Sequence, residues 1–200
     1  MHDSQHHRES MDQYEERKRH AEELERLASL RTQLATFEDL KRVTLRRSKI
    51  EDWVDEPFFQ QTMKDSFVKV GFSQKYLIAQ IKGTKDDPLN QYSLTNGKKT
   101  GIYLRLLMTE DTPDKLKWFK INQISNNEIM PAEFDKLNYY RSYYKIQPVN
   151  METVEQKALD IHNARNYIYK HGEAAKIANM KFDRALAEGT LSQFPNVFYF

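Results

Sequence analysis

The chain has 200 residues, of which 12% are aromatic and 30% charged, with a formal net charge of +2. A nearly neutral chain is not a bulk polycation, so binding of anions must come from a local patch of basic residues. The absence of cysteine excludes a disulfide framework and a thiolate zinc site, and it fits a reducing compartment. No apolar run reaches membrane-spanning length and the N-terminus has no apolar signal core, so we expect a cytosolic or nuclear protein without membrane contact.

The N-terminal part predicts a polar tail followed by an amphipathic helix. Residues 1–12 are expected to be disordered, and His2, His6 and His7 would form at most a floppy metal chelate. From 13 to 39, apolar residues recur at three- and four-residue steps: Leu24, Leu27, Leu30, Leu34 and Phe37. This pattern favours a solvated helix that packs one stripe on the domain. The alternative is a segment that binds a partner or pairs as a coiled coil.

The next segment joins a basic run to an acidic and aromatic one. Residues 41–49 include five bases and no acid: Lys41, Arg42, Arg46, Arg47 and Lys49. Residues 50–59 then carry four acids and three aromatics. Ser48 with Glu51 predicts a helix N-cap with a capping box, and Pro57 suits the first position of another short helix. The uncompensated bases indicate an anion-binding patch fastened to a buried anchor.

A β-rich region follows, in which the hydrophobic period changes to two. Alternation in "DSFVKVGF", "KYLIAQIKGT" and "LKWFKINQIS", with two further runs around Asn96-Gly97, predicts five or six strands with short loops. Gly83 suits a bend in the second of these runs. Because no helix separates the predicted strands, we expect an antiparallel sheet, either a small barrel or a strongly bent sheet.

Three helices are predicted in the C-terminal part of the chain. The first begins at Pro131, the second follows Asn150 as its N-cap, and the third follows Gly172 and ends at Gly189. The aromatic tail 190–200 is expected to pack on the domain or to dock a partner. The predicted fold is therefore α+β, with helices at both ends of the strand region.

The sequence shows no motif of an enzyme active site. It lacks GxxxxGK[ST], GxGxxG, HExxH and GxSxG, and its carboxylates fall mostly in helical charge patterns rather than apolar surroundings. We therefore predict a non-enzymatic protein without a cofactor or a metal ion.

The second candidate binding patch lies on the strands. It combines basic and aromatic side chains: Tyr103, Arg105, Lys117, Trp118 and Lys120. Arginine and lysine bind phosphate, and an aromatic face accepts an aliphatic group, a base or a methylated amine. The alternative is that the aromatic residues belong to the core and the bases merely solvate the surface.

With the strands placed, several stretches follow one another in a telling order: "RVTLRRSKIEDWVDEPFF", "FVKVG", "YLIAQIKG", "KKTGIYLRL", "FKINQISNNEIMPAEF" and "PVNMETVEQKALDIHNARNYIY". In the order of these stretches the chain resembles the Plus-three domain family of the transcription elongation factor named "restores TBP function". Together they cover roughly residues 40–170. The resemblance implies a Tudor-like β-barrel flanked by helices, with a Plus-three domain at 40–146. Helices and the aromatic tail at 147–200 would pack on or near the barrel.

The resemblance also implies a function. It identifies a nuclear module that reads threonine-phosphorylated C-terminal repeats of the large subunit of DSIF. In this way the module recruits the polymerase-associated factor complex, whose other subunits are further partners, to elongating RNA polymerase II. By position, the phosphate contacts would fall on Arg47 and Lys117, with Arg42 and Lys49 completing the positive set. A helix start beside these arginines would suit a phosphothreonine.

Departures from the family pattern limit what carries over. Gln123 stands where many members have an aromatic residue that can contact the peptide. Ser125 to Asn127 reads Ser-Asn-Asn rather than Ser-Asn-Gln, and Lys117 replaces an arginine, which removes a bidentate fork. The region that stimulates histone monoubiquitination in the full-length family protein is not apparent, so a fragment or short form is expected. Three alternatives stay open: binding of single-stranded DNA or RNA, a scaffold for complex assembly, and a methyl-lysine reader.

Overall fold

The computed structural model describes residues 3–108 and 116–187. Its helices are α1 (Asp3–Thr32), α2 (Phe37–Arg42), α3 (Arg47–Trp53), α4 (Phe59–Met63), α5 (Pro131–Tyr143), α6 (Met151–Arg165) and α7 (Glu173–Ala187). Its strands are β1 (Thr44–Leu45), β2 (Phe67–Phe72), β3 (Lys75–Asp86), β4 (Tyr92–Ser93), β5 (Lys99–Thr100), β6 (Ile102–Leu107) and β7 (Leu116–Lys120), and a 3-10 helix (Ile121–Gln123) follows β7. The α+β prediction is confirmed. His2, Gly189 and the predicted aromatic tail lie outside the described residues.

Five strands form one sheet in the order β1-β2-β3-β6-β7, and β4 and β5 form a separate two-stranded ladder. The pairs β2–β3, β3–β6 and β6–β7 are antiparallel, as predicted. The pair β1–β2 is parallel, so the prediction of an antiparallel sheet is wrong there. The cause is that α3 and α4 lie between these two strands in the chain and return it to the same edge, as a parallel connection requires.

The sheet is strongly bent. The rings of Phe72 on β2 and Phe119 on β7 meet at 6.3 Å, although β3 and β6 lie between these strands in the sheet. The β3–β6 register shifts between Ile81 and Gly83, where the sequence predicts a bend. Val70 forms a single bridge with Ile124. Among the described strands β1 and β7 are not paired, so the sheet shows no closed barrel.

The predicted hairpin at Asn96-Gly97 is present between β4 and β5. Leu94 N–H donates to Lys98 O at 2.7 Å, and Gly97 takes a positive φ of 83°, which glycine adopts without a steric penalty.

α1 begins at Asp3, where the sequence analysis expects a disordered tail, and it ends at Thr32. Leu34 and Phe37 therefore lie beyond α1, and Leu24 is 55% exposed, so the predicted stripe is not buried as a unit. Only the C-terminal end of α1 is tied to α6, through an Arg31–Glu152 ion pair of 2.8 Å. Most of α1 thus lies exposed to solvent.

α6 is the central helix of the α-helical layer, because it contacts α1, α2 and α4. Its predicted N-cap is confirmed, since Asn150 Oδ1 accepts a hydrogen bond from Thr153 N at 3.0 Å. α4 begins at Phe59 rather than at Pro57, which precedes the helix. The largest fully buried side chains come from both layers, and they include Leu40, Ile50, Met63, Phe67, Leu104 and Ile124.

Candidate binding surfaces

Each base of the run 41–49 lies close to a carboxylate, either three or four residues away in the chain or on a distant element. Its ion pairs are Lys41–Glu128, Arg42–Glu155 and Arg42–Asp39, Arg46–Glu128, Arg47–Glu51 and Lys49–Asp52. The sequence shows five bases without a local acid, but the structure gives each of them an acidic neighbour. The run as a whole is therefore not a free cationic patch.

Glu128 is the main acidic partner at this surface. One of its oxygens lies 3.0 Å from Lys41 Nζ, and the other accepts a hydrogen bond from Arg46. The hydrogen bond and charge of Lys41, supplemented by Arg46, hold the pKa of Glu128 below its usual value, and Glu128 in turn raises the pKa of Lys41.

The first amide groups of α3 are already occupied. Arg47 N–H donates to Ser125 O at 3.3 Å, and Ser48 N–H donates to Asn126 Oδ1 at 2.8 Å. The N-cap is Arg46 rather than Ser48, and it makes no side-chain capping bond, so the predicted capping box is absent. The start of this helix therefore offers no free amides to a phosphate, and binding there must use side chains.

Arg47 differs from the rest of the run. Its Nε is buried without a hydrogen-bond partner among the described residues, and the Glu51 oxygen beside it lies 3.8 Å away. Glu51 is itself engaged, because its two oxygens accept from the backbone N–H and the hydroxyl of Thr95. With 26% of its side chain exposed, Arg47 has a fixed position and spare hydrogen-bonding capacity toward solvent.

The other predicted phosphate contacts have different surroundings. Arg42 is directed to α6, where its Nη1 lies 3.3 Å from Glu155 Oε1. Lys49 stays beside Arg47 on α3, with its Nζ 4.9 Å from the Trp53 ring centre and 3.7 Å from Asp52. Arg42 and Arg47 thus belong to one segment, but their charges engage different elements.

Four of the five predicted strand residues share one face of β6 and β7. Tyr103 pairs with Lys120, and Arg105 pairs with Trp118, so these side chains project on the same side. Trp118 is 45% exposed, and the Arg105 guanidinium carbon lies 5.9 Å from its ring centre. We call this set, together with Lys85 of β3, the outer strand face.

Lys85 is a member of this face that the sequence analysis missed. It pairs with Tyr103 across β3 and β6, and its Nζ lies 5.0 Å from the Tyr103 ring and 5.3 Å from the Trp118 ring. Only the strand register places it there, because eighteen residues separate it from Tyr103 in the chain.

Lys117 lies on the opposite face of β7. It pairs with buried Leu106, and its Nζ is 4.9 Å from the ring of Phe72. The expected grouping of Lys117 with the other four strand residues is therefore wrong, because alternate residues of a strand point to opposite sides. Gln123 is exposed and accepts a hydrogen bond from Lys120 N at 2.8 Å, which closes the 3-10 helix.

β2 relates the positions of Arg47 and Lys117. Ser125 O accepts a hydrogen bond from Arg47 N–H, and Ser125 N–H donates to Lys69 O at 2.8 Å. Lys117 lies over the ring of Phe72, further along the same strand. Lys69 and Phe72 are three residues apart on β2, which corresponds to about 10 Å. An extended peptide of about three residues spans such a distance.

Tyr92 connects the outer strand face to the 3-10 helix. Its hydroxyl donates to Ile102 O and accepts from Ile121 N at 2.8 Å, and Lys120 Nζ lies 5.4 Å from its ring. Burial raises the pKa of Tyr92 to about 12. The 3-10 helix contacts α3, so this hydroxyl lies at the joint between the two candidate surfaces.

Across 3–108 and 116–187, no cluster of three or more His, Cys, Asp or Glu side chains is arranged to hold a metal ion. The described helices include none that is long and apolar enough to cross a membrane.

Comparison with known proteins gives a consistent result. Residues 39–140, half of the chain, match the model of the Plus-3 domain family. A region of 110 residues is 34% identical to "Protein RTF1 homolog" of Arabidopsis thaliana and covers 52% of this chain and 17% of that protein. A region of 152 residues is 21% identical to an RNA polymerase-associated protein of Schizosaccharomyces pombe and covers 74% of this chain and 26% of the relative. The chain thus spans less than a third of the length of either relative.

Proposed function

The chain belongs to the Plus-3 domain family, as its sequence predicts, and on this premise we propose that it is a non-enzymatic, phosphopeptide-binding module of a nuclear transcription elongation factor. Its ligand would be the threonine-phosphorylated C-terminal repeat region of the large DSIF subunit. Through that contact it would bring the polymerase-associated factor complex to elongating RNA polymerase II. Residues 40–146 would form the binding domain, with the bent sheet as its Tudor-like part.

The observation that carries this proposal is the state of Arg47. Its guanidinium is fixed beside a buried carboxylate whose oxygens are already used by Thr95, and its Nε lacks a partner within the described residues. Because Nε itself is buried, a phosphate would bind the exposed part of the guanidinium, which presents the planar set of donors that suits an oxyanion.

The remaining residues have graded roles in this proposal. Arg47 binds the phosphate itself, and Lys49 adds positive charge from the same helix. Lys117, which lies over Phe72 of β2, contacts the same extended peptide further along. Arg42 adds long-range charge only, because Glu155 and Asp39 hold it. Gln123 offers the peptide an amide in place of an aromatic contact.

The experiment is a fluorescence anisotropy titration with a threonine-phosphorylated repeat peptide and its unphosphorylated twin. We expect clearly tighter binding of the phosphorylated peptide, because the Arg47 contact is charge-assisted. Equal affinities for the two peptides would contradict the proposal.

A second candidate function is binding of single-stranded nucleic acid on the outer strand face. The specific observation is that Trp118 is exposed, with Lys85 and Arg105 close to its ring. Across the described residues, Arg105 and Lys120 contact aromatic rings and not carboxylates. A stacking ring with adjacent cations is the combination that binds single strands without strong sequence preference.

Salt dependence tests this second candidate. Titration of a labelled single-stranded oligonucleotide at two salt concentrations should give a log–log slope of about −0.7 for each phosphate that is neutralised. Affinity that does not change with salt would exclude this use of the outer strand face.

A further inference from the structure

A polar cavity lies between the sheet and α6, and its lining includes no residue of the outer strand face. It has a volume of about 520 Å³ and is bounded by Asp65, Gln80 and Lys82 on the sheet side and by 147–150 and the first turns of α6 on the helix side. This volume falls within the range of small-ligand sites.

Arg141 is the unusual feature of the cavity wall. Only 6% of this residue is exposed, and its Nε donates to Gln147 O at 2.8 Å. Its Nη1 is buried with no hydrogen-bond partner among the described residues. Burial lowers the pKa of its guanidinium, in line with the energetic cost of an unpaired interior charge.

The acidic groups around the cavity are already paired with other bases. Asp65 Oδ1 lies 2.6 Å from Lys82 Nζ, and Glu152 Oε1 lies 2.8 Å from Arg31 Nε. Within the described ranges no carboxylate is paired with Arg141, so the cavity retains one uncompensated positive charge.

The other basic group at the cavity is also satisfied. Lys157 Nζ donates to Gln61 O at 3.1 Å and pairs with Asp160. Arg141 is therefore the wall residue whose charge and hydrogen bonds are left incomplete.

A purely structural role accounts for only part of Arg141. The bond from Nε to Gln147 O ties the end of α5 to the loop before α6, and that bond needs one donor. A guanidinium carries five N–H donors and a full charge, and burying it for one neutral bond is costly. An anion in the cavity would balance this charge and would accept from the guanidinium where it forms the cavity wall.

We propose that this cavity is a second binding site, for an oxyanion of the carboxylate or phosphate class, with Arg141 as its main ligand. Gln80, Asn150 and Gln156 line the same cavity as neutral polar residues, and their amides donate to Asp65, Arg31 O and Asp160. The site is independent of the proposed function of Arg47. The oxyanion has two sources that share this chemistry, a free small anion and an acidic side chain of a partner peptide.

The test is a titration followed by nuclear magnetic resonance of the Arg141 side-chain Nε–H and the backbone amides of 147–153. Inorganic phosphate, acetate and a short blocked peptide rich in Asp and Glu are each added at constant ionic strength, with chloride as the balancing salt. We expect saturable shifts at these positions. Tighter binding of the peptide than of the free ions identifies a partner side chain as the source, and the reverse order identifies a free anion.

Gln147→Glu provides the decisive variant, because this exposed residue lines the cavity and its backbone bond to Arg141 is retained. The added carboxylate should weaken oxyanion binding at least tenfold, whereas the matched Gln60→Glu change, on α4 outside the cavity, should leave it unchanged. Absence of saturable shifts at Arg141 would overturn the proposal. Shifts that are the same in Gln147→Glu and the unchanged protein would also overturn it, because they would reflect general ionic effects.

Discussion

The basic run 41–49 has five cations and the outer strand face has three, and the two regions engage their cations differently. In the basic run every cation has a carboxylate neighbour contributed by the fold, as with Glu128 for Lys41 and Arg46. On the outer strand face, Arg105 and Lys120 lie against aromatic rings instead, and Lys85 combines ring contacts with an ion pair to Asp87. A cation paired with a carboxylate has fewer donors and less net charge to offer a ligand, whereas one that lies over a ring keeps its donors.

Arg47 is the exception that links this comparison to function. It belongs to the neutralised run, yet the acid beside it is shared with Thr95 and its own Nε is unsatisfied. The number of bases in a segment is therefore a poor guide to its binding capacity. The unfilled hydrogen bonds of each base are a better one.

The largest expected effect concerns the joint between the two regions, at Tyr92. The raised pKa of about 12 means that the folded state favours the neutral phenol of Tyr92. The contribution of Tyr92 to the free energy of unfolding is therefore complete below about pH 10 and is lost as the pH rises to 12. Two pKa units correspond to about 2–3 kcal/mol. Chemical denaturation at pH 9 and at pH 11–12 should show this loss.

Tyr92→Phe isolates the contribution of this one hydroxyl. The variant should be less stable at neutral pH, because Ile121 N–H loses its acceptor, and its stability should fall less between pH 10 and 12. Tyr139→Phe, at a 63% exposed position, is the control. Parallel pH profiles for Tyr92→Phe and the unchanged protein would show that Tyr92 is not the titrating group.

The next effect sharpens the contrast within the basic run. Arg47→Gln should weaken binding of the phosphorylated peptide by about 1.5–3 kcal/mol, or roughly 10- to 150-fold in affinity. Binding of the unphosphorylated peptide should change little. Arg46→Gln also removes one positive charge, but from a residue that is paired with Glu128. It should lower the affinity for the phosphorylated peptide by less than about threefold. Comparable losses in the two variants would mean that overall charge, and not Arg47, recognises the phosphate.

The outer strand face is tested by Trp118→Ala. Loss of one stacking ring should weaken binding of a single-stranded oligonucleotide by about 1–3 kcal/mol, which fluorescence anisotropy can measure. Tyr139→Ala removes an exposed ring from α5 and should leave oligonucleotide affinity unchanged. If the two substitutions have the same effect, the bases do not stack on Trp118.

The smallest effect concerns Glu128. Glu128→Gln frees Lys41 and Arg46, so the salt slope for a single strand should steepen by about 0.7 for each freed cation that meets a phosphate. Glu23→Gln makes the same charge change on α1, where Glu23 pairs with Arg26, and it should not alter the slope. An unchanged slope in Glu128→Gln would mean that these cations stay away from nucleic acid even when unpaired.

Local patterns in the sequence predict well where helices and strands lie, but they do not predict which strands pair with one another. Alternation located β2, β3, β6 and β7, and Asn150 was correctly identified as a cap, because each signal lies within a few residues. β1 and its parallel pairing were missed, since a two-residue strand has no periodicity of its own.

The candidate site was predictable only in part, for the same reason. The family resemblance singled out Arg47, but its contact with Ser125 involves a residue about eighty positions away. The same holds for the pairing of Lys41 and Arg46 with Glu128. Similarly, the expected grouping of Lys117 with Trp118 failed because adjacent strand residues face opposite sides. Side-chain direction and long-range charge pairing need the fold.

The most direct test of the central claim is a set of four titrations. Arg47→Gln and Trp118→Ala are each measured against the phosphorylated peptide and against a single-stranded oligonucleotide. We expect Arg47→Gln to weaken binding of the peptide at least tenfold and to change binding of the oligonucleotide little. We expect Trp118→Ala to weaken binding of the oligonucleotide and to change binding of the peptide little. Equal losses of both ligands in both variants would contradict the claim that the two regions are separate binding surfaces.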